Sequence, residues 1–214
     1  MKECKYYNEE VYRQTIRGKE LTLRPYNEKT DKEIFFKMFK SDKDFKWFYP
    51  YPMEKDFKHV RLEGRCTMFD SFGLFSFIIV RNNDQAIMGC ITCDSGYCSS
   101  HHVLKIGYYM GEEYRYYGYM QKALSQLIDY GFKGKLIQMD SRCYKNRKYV
   151  VQAFKATVDL DNDASDHLLR KLGFVCSGIE FCEYSKDGQR VRDRRHYYLE
   201  NSKHPPIRNT CYNL

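Results

Sequence analysis

No apolar run in this chain approaches the roughly 20 residues that a membrane-spanning helix needs. The nearest, Phe72 to Val80, is too short and reads as a buried strand. The opening Met1-Lys-Glu-Cys-Lys5 lacks the apolar core of a secretory signal, so a cytoplasmic protein is expected. No segment is low in complexity and none repeats another. No nucleic-acid module signature accompanies the basic residues, so direct nucleic-acid binding is not required. Cys90, Cys93, Cys98, His101 and His102 follow no standard zinc spacing, and no metal is expected.

What is present describes an ordinary globular protein. With 43% apolar and 30% charged residues, 214 residues suffice for one domain with a full core. The nine cysteines are odd in number and come without a signal peptide, which points to reduced thiols rather than a disulfide framework. Cys90 and Cys93 have redox-motif spacing. They sit in an apparent strand, however, where residues three apart point to opposite faces. Thirty-six Lys and Arg against 28 Asp and Glu give a net charge of +8, which suits an anionic partner or a solvated basic surface.

Periodicity orders the elements. Leu21 to Pro25 reads as a strand ended by proline, and Ile34, Phe35, Met38 and Phe39 follow at helical spacing. An aromatic stretch, Trp47 to Pro52, cannot be regular helix. Phe72 to Arg81, a turn at 82–84 and Gln85 to Cys93 read as strand, turn, strand; Val103 to Met110 is another strand. A helix then carries Met120, Leu124, Leu127, Ile128 and Phe132 on one face, closed by Gly131 and Gly134. A basic segment, 133–148, reads as a solvated insertion. Val150 to Leu160 reads as a strand. After it come the polar cluster 161–163, a short amphipathic helix, the stop Gly173, and a hairpin ending near Leu199. The tail, 201–214, looks irregular. An antiparallel meander followed by β-α-β-α-β makes a mixed α/β (α+β) domain, with a mostly antiparallel sheet.

Two junctions could hold an anion or a ligand. Glu112 to Met120 joins a strand to a helix start through Arg115 and Gly118, where free N–H groups, the helix dipole and a glycine favour phosphate. Asn162 and Ser165 lie at the mouth of a second strand-to-helix junction.

Together these motifs resemble the GCN5-related N-acetyltransferase (GNAT) superfamily, in particular its RimJ/RimL-type branch, from about Leu21 to Leu199. Leu21 to Pro25 is similar to the branch's opening strand and Ile106-Gly-Tyr-Tyr109 to its fourth. Arg115-Tyr-Tyr-Gly118 is similar to its pyrophosphate loop, with Met120 standing where a small residue is usual. Asn162-x-x-Ser165, Lys171-Leu-Gly-Phe174 and the hairpin carrying Asp187-Gly188 complete the match.

The resemblance implies a GNAT fold and acetyl transfer from acetyl-CoA to a primary amine, without metal. It implies cofactor contacts from Tyr108, Tyr109, Met110, Arg115, Tyr116, Tyr117, Gly118, Tyr119, Met120, Asn162 and Ser165. The oxyanion donor would be a backbone N–H near Tyr108 to Met110, which brings Tyr109 into the catalytic set. Many family members place an acidic tyrosine where Leu169 stands here, so Ser165 inherits delivery of a proton to sulfur.

The branch's glutamate before Ile-Gly-Tyr is Lys105, and a lysine of ordinary pKa, about 10.4, cannot take a proton. Glu113, Glu112, Glu180, Glu183, His196, a desolvated Lys105 or a water chain remain as bases. Trp47, Tyr49 and Tyr51 would wall the acceptor site or merely pack over the core. An α-amine, with a pKa near 8, needs little help from a base, so a protein or peptide N-terminus is the expected acceptor. A polyamine or aminoglycoside acceptor and an idle acyl-CoA-binding module are the alternatives, and a homodimer is left open.

Overall fold

The computed structural model describes residues 14–43, 74–94, 102–140, 145–181 and 193–205. Eight strands form one sheet in the order β1 (Ile16–Arg17), β2 (Leu21–Arg24), β3 (Leu74–Arg81), β4 (Ile87–Asp94), β5 (Val103–Met110), β8 (Ala153–Asp159), β10 (Arg194–Glu200), β9 (Val175–Glu180). Every neighbouring pair is antiparallel except β5 and β8. A parallel pair requires a crossover. The chain makes it through α2 (Tyr119–Phe132) and a separate two-stranded hairpin, β6 (Leu136–Asp140) with β7 (Lys145–Tyr149). The segment expected as a solvated insertion therefore contains regular structure.

Strand alternation gives the sheet two apolar faces, each with its own cover. On one, Leu104, Ile106, Met110, Phe154, Ala156 and Val158 pack with Leu124 and Leu127 of α2 and Leu169 of α3 (Asp163–Lys171). On the other, Ile78, Val80, Cys90 and Tyr109 pack with Phe35 and Phe39 of α1 (Glu28–Ser41). Cys90 and Cys93 fall in different clusters, so the two thiols do point to opposite faces. Ile34 departs from expectation: α1 turns Phe35 and Phe39 inward and leaves Ile34 exposed.

The helix ends have local causes. Asn27 caps α1 by accepting from the Lys29 N–H at 3.1 Å. α3 ends in a Schellman motif, with Phe174 N–H on the Leu169 carbonyl, Gly173 N–H on the Arg170 carbonyl, and Gly173 at φ +86°. At the end of α2 only Gly134, at φ +65°, acts as a stop. Gly131 lies inside the helix, where a side chain would strike Val151 and Phe154, so its small size serves close packing. Among the described residues no helix is long and apolar enough to cross a membrane.

Candidate active site

The sheet opens at one place. β5 and β8 pair only through Val103–Ala153, Leu104–Phe154 and Lys105–Lys155. Beyond these, β5 continues beside β4 to Met110, and β8 continues beside β10 to Asp159. The facing edges, 106–110 and 156–159, are parted. Gly111 N–H donates to the Met88 carbonyl, on the β4 side. Alternation along β5 therefore turns the N–H groups of Tyr108 and Met110 toward the open edge.

Two helix starts flank this fork. At the first, Tyr116 (φ +67°) and Gly118 (φ +76°) are left-handed, which turns the chain sharply into α2. The N–H groups of Tyr116 to Gln121 have no intramolecular acceptor among the described residues. They form a row of donors at the positive end of a 14-residue helix. Tyr116 is fully exposed and Tyr117 largely so, whereas the Met120 side chain is buried in the core. The bulk of Met120 is thus turned away from these donors. Tyr119 is held by the Arg81 and Lys122 cations against its ring.

Arg115 does not reach the donor row. Its Nε donates to the Met110 carbonyl at 2.9 Å, its guanidinium pairs with Asp42, and its own N–H is bound to the Glu112 carbonyl. The side chain expected at phosphate is an internal anchor instead. Tyr109 belongs to the same anchor, since its hydroxyl donates to Asp42 Oδ2 at 2.6 Å. Burial, then the Asp42 carboxylate, push its pKa well up. Tyr109 lies on the α1 face, opposite α3, so its side chain turns away from Ser165.

At the second start, Asn162 caps α3 by accepting from the Ser165 N–H at 3.2 Å, and its amide nitrogen has no partner among the described residues. Ser165 is half-buried, one turn before the buried Leu169 and on the same helix side. Across the fork, burial pushes the Tyr108 phenol up to about 12, and the nearby Ser165 hydroxyl acts in the opposite sense. Asp166 is fastened by Arg170, by the Tyr197 hydroxyl and by Arg195, an arrangement that holds its pKa below the usual carboxylate range. Asp42, Asp166, Tyr197 and Arg195 were missed in the sequence. Asp166 lay beside Ser165 in the second junction, and Tyr197 and Arg195 lay in the closing hairpin, whereas Asp42 lay in no segment singled out.

The candidate bases are scattered. Glu112 and Glu113 lie exposed in a short 3-10 turn, with Glu113 beside Tyr114. Glu180 and His196 pair with each other at 3.1 Å across β9 and β10. Lys105 and Lys155 stand side by side at the last rung before the fork, on the face that carries Tyr109, with the Lys155 ammonium 5.6 Å from the centre of the Tyr198 ring. Trp47, Tyr49, Tyr51 and Glu183 lie outside the described residues.

The family model for the acetyltransferase (GNAT) domain matches residues 20–175, and so spans both helix starts and the fork. The chain belongs to the GNAT acetyltransferases. It carries an acetyltransferase domain of mixed α/β fold. No curated protein matches the chain in sequence.

Solved GNAT structures do match in fold. RimL, the ribosomal L7/L12 α-N-protein acetyltransferase, is 18% identical with a TM-score of 0.65, over 88% of this chain and 94% of that one. A chimera of the Vibrio cholerae spermidine N-acetyltransferase SpeG and hSSAT is 16% identical with a TM-score of 0.62, over 87% and 98%. The microcin C7 self-immunity acetyltransferase MccE, solved with acetyl-CoA and AMP, is 16% identical with a TM-score of 0.61, over 86% and 93%. Among the described residues of this GNAT chain no group of three or more His, Cys, Asp or Glu is placed to hold a metal.

Proposed function

We propose that this GNAT enzyme acetylates a protein or peptide N-terminal α-amine, as a member of the RimJ/RimL-type branch. The parting of β5 from β8 beside Ser165 carries the catalytic part of that reading. The donor row of Tyr116 to Met120 takes the pyrophosphate of acetyl-CoA. The amide nitrogen of Asn162 and the free strand edges hold the pantetheine arm, whose amides can pair with backbone. The N–H groups of Tyr108 and Met110 receive the charge that builds on the carbonyl oxygen when the amine attacks. In the reaction one proton leaves nitrogen and one reaches sulfur, and Ser165 supplies the latter.

The choice of acceptor rests on charge. A polyamine or aminoglycoside needs carboxylates near the reacting carbon. Here Lys105 and Lys155 occupy the last rung, while Glu180 already faces His196 and Asp159 already faces Arg194. An α-amine is partly neutral at pH 7 to 8, so the absence of a glutamate at position 105 costs it little. RimL, which shares the fold, acts on a protein α-amine.

The test is release of free CoA from acetyl-CoA in the presence of peptides, polyamines or aminoglycosides. Peptides with free α-amines are expected to turn over and their blocked counterparts to be inert. Turnover of polycations with peptides inert would overturn the acceptor. Ser165→Ala is expected to lower kcat at least about tenfold with the acetyl-CoA KM within about twofold; an unchanged kcat would remove Ser165 from the mechanism.

A further inference from the structure

Tyr108 sits where a polar group has no reason to be unless something arrives. It leaves β5 beyond the last rung to β8, packs against the core shared by α2 and α3, and buries its hydroxyl with no hydrogen-bond partner among the described residues. An unpaired buried hydroxyl destabilises a fold by an amount comparable to a lost hydrogen bond. A phenylalanine would fill the same space without that cost.

The surroundings narrow what the hydroxyl serves. Asp166, the carboxylate next to Ser165, is engaged by Tyr197, Arg170 and Arg195. Ser165 is the side-chain hydroxyl acting on Tyr108, although the two stop short of hydrogen-bond geometry. Their access differs. The Tyr108 oxygen is sealed from solvent, whereas Ser165 is partly exposed at the helix start. A thioester entering the fork therefore meets Ser165 first, with Tyr108 behind it.

We propose that Tyr108 is a positioning residue for Ser165. Its hydroxyl donates to Ser165 Oγ once the thioester is in place, which aims the serine O–H at sulfur and supports the charge left on Oγ as that proton departs. The inference rests on the reading of Ser165 as the proton donor. The step balances: the C–S bond breaks and the sulfur takes the Ser165 proton. Ser165 then recovers, through water, the proton lost by the acceptor nitrogen. Tyr108 keeps its own proton, in accord with a phenol pushed up to about 12.

Tyr108→Phe separates this role from a structural one. The variant is expected to melt at the same or a higher temperature than the parent, because it removes an unpaired buried hydroxyl. Its kcat is expected to fall about tenfold, the equivalent of one hydrogen bond, with the acetyl-CoA KM within about twofold. In the Ser165→Ala background the same change should alter kcat less than about twofold, because residues acting as a unit are not additive. Losses that multiply in the double variant, an unchanged kcat in Tyr108→Phe, or a lower melting temperature would each overturn the proposal. If Ser165→Ala itself retains full kcat, the proton-donor reading falls and takes this one with it. If Ser165→Ala is slow and Tyr108→Phe is not, only the role of Tyr108 falls.

Discussion

Asp42→Ala should damage both stability and donor binding, and its size can be worked out from the contacts. The Asp42 side chain is 2% exposed and accepts from Tyr109 at 2.6 Å while pairing with Arg115, whose side chain is 20% exposed. Removing one partner of a buried pair costs about 3–5 kcal/mol, since the other charge stays behind. The Tyr109 hydroxyl would lose a charged acceptor worth about 1.5–3 kcal/mol, a share of the same loss rather than an addition to it. Because Arg115 can partly turn to water, the low end applies, about 3 kcal/mol. For a chain of this length that lowers Tm by about 6–12 °C.

Asp42→Asn keeps an acceptor for Tyr109 and loses only the charge, so it should cost about half as much. Chemical denaturation of the three proteins gives the free energies, and initial rates give the acetyl-CoA KM. That KM should rise in Asp42→Ala, because Arg115 opens the loop that presents the donor row. A loss below about 1 kcal/mol in Asp42→Ala would show that the pair contributes no more than a surface ion pair, and the reasoning would be refuted.

Two further outcomes follow from backbone and charge. Gly118 is left-handed with open space around it, so Gly118→Ala meets no clash but should cost about 1–2 kcal/mol in conformation and raise the acetyl-CoA KM; an unchanged KM would detach this turn from donor binding. Burial alone would raise the pKa of Asp31, but hydrogen bonds from Arg24, the Asn27 N–H and Thr30 outweigh it and leave the pKa below its ordinary value. The folded state then binds fewer protons than the unfolded one, so this contribution is present above about pH 3.9 and fades as the pH falls through the folded value. Melting curves from pH 6 to 3 should show a shallower acid loss in Asp31→Asn than in the parent, and parallel curves would refute the assignment.

The legible parts of the chain were those with a local cause. β5, α2 and α3 begin and end at polar clusters and left-handed glycines, so a reader of one sequence finds them almost to the residue. The donor row and the capped serine were legible for the same reason: both are properties of a helix start. What stayed hidden depends on distant partners. Asp42 sits in a run of mixed charges and gains its role only when α1 lies against β5, 67 residues further along. Arg115 looked like a phosphate ligand because its side chain is long enough to turn either way, and the buried carboxylate decides the direction. Gly131 imitates a helix stop because a glycine chosen for close packing and one chosen for its backbone angle are the same letter. Ile34 misled because α1 carries apolar residues at both 34 and 35, and spacing alone does not say which faces the sheet.

The three-rung junction between β5 and β8 makes the molecule resemble two leaves on a short spine. Widening the gap between the leaves breaks no backbone ladder. Among the described residues, the side chains that fill the angle resist it, beginning with the buried Ile106 and Ala156 immediately beyond the spine. The width of the fork is therefore a matter of volume and not of hydrogen bonding. Exchanging one aliphatic side chain there for a larger or smaller one would reset the aperture by fractions of an ångström, while every reacting group kept its identity and its partners.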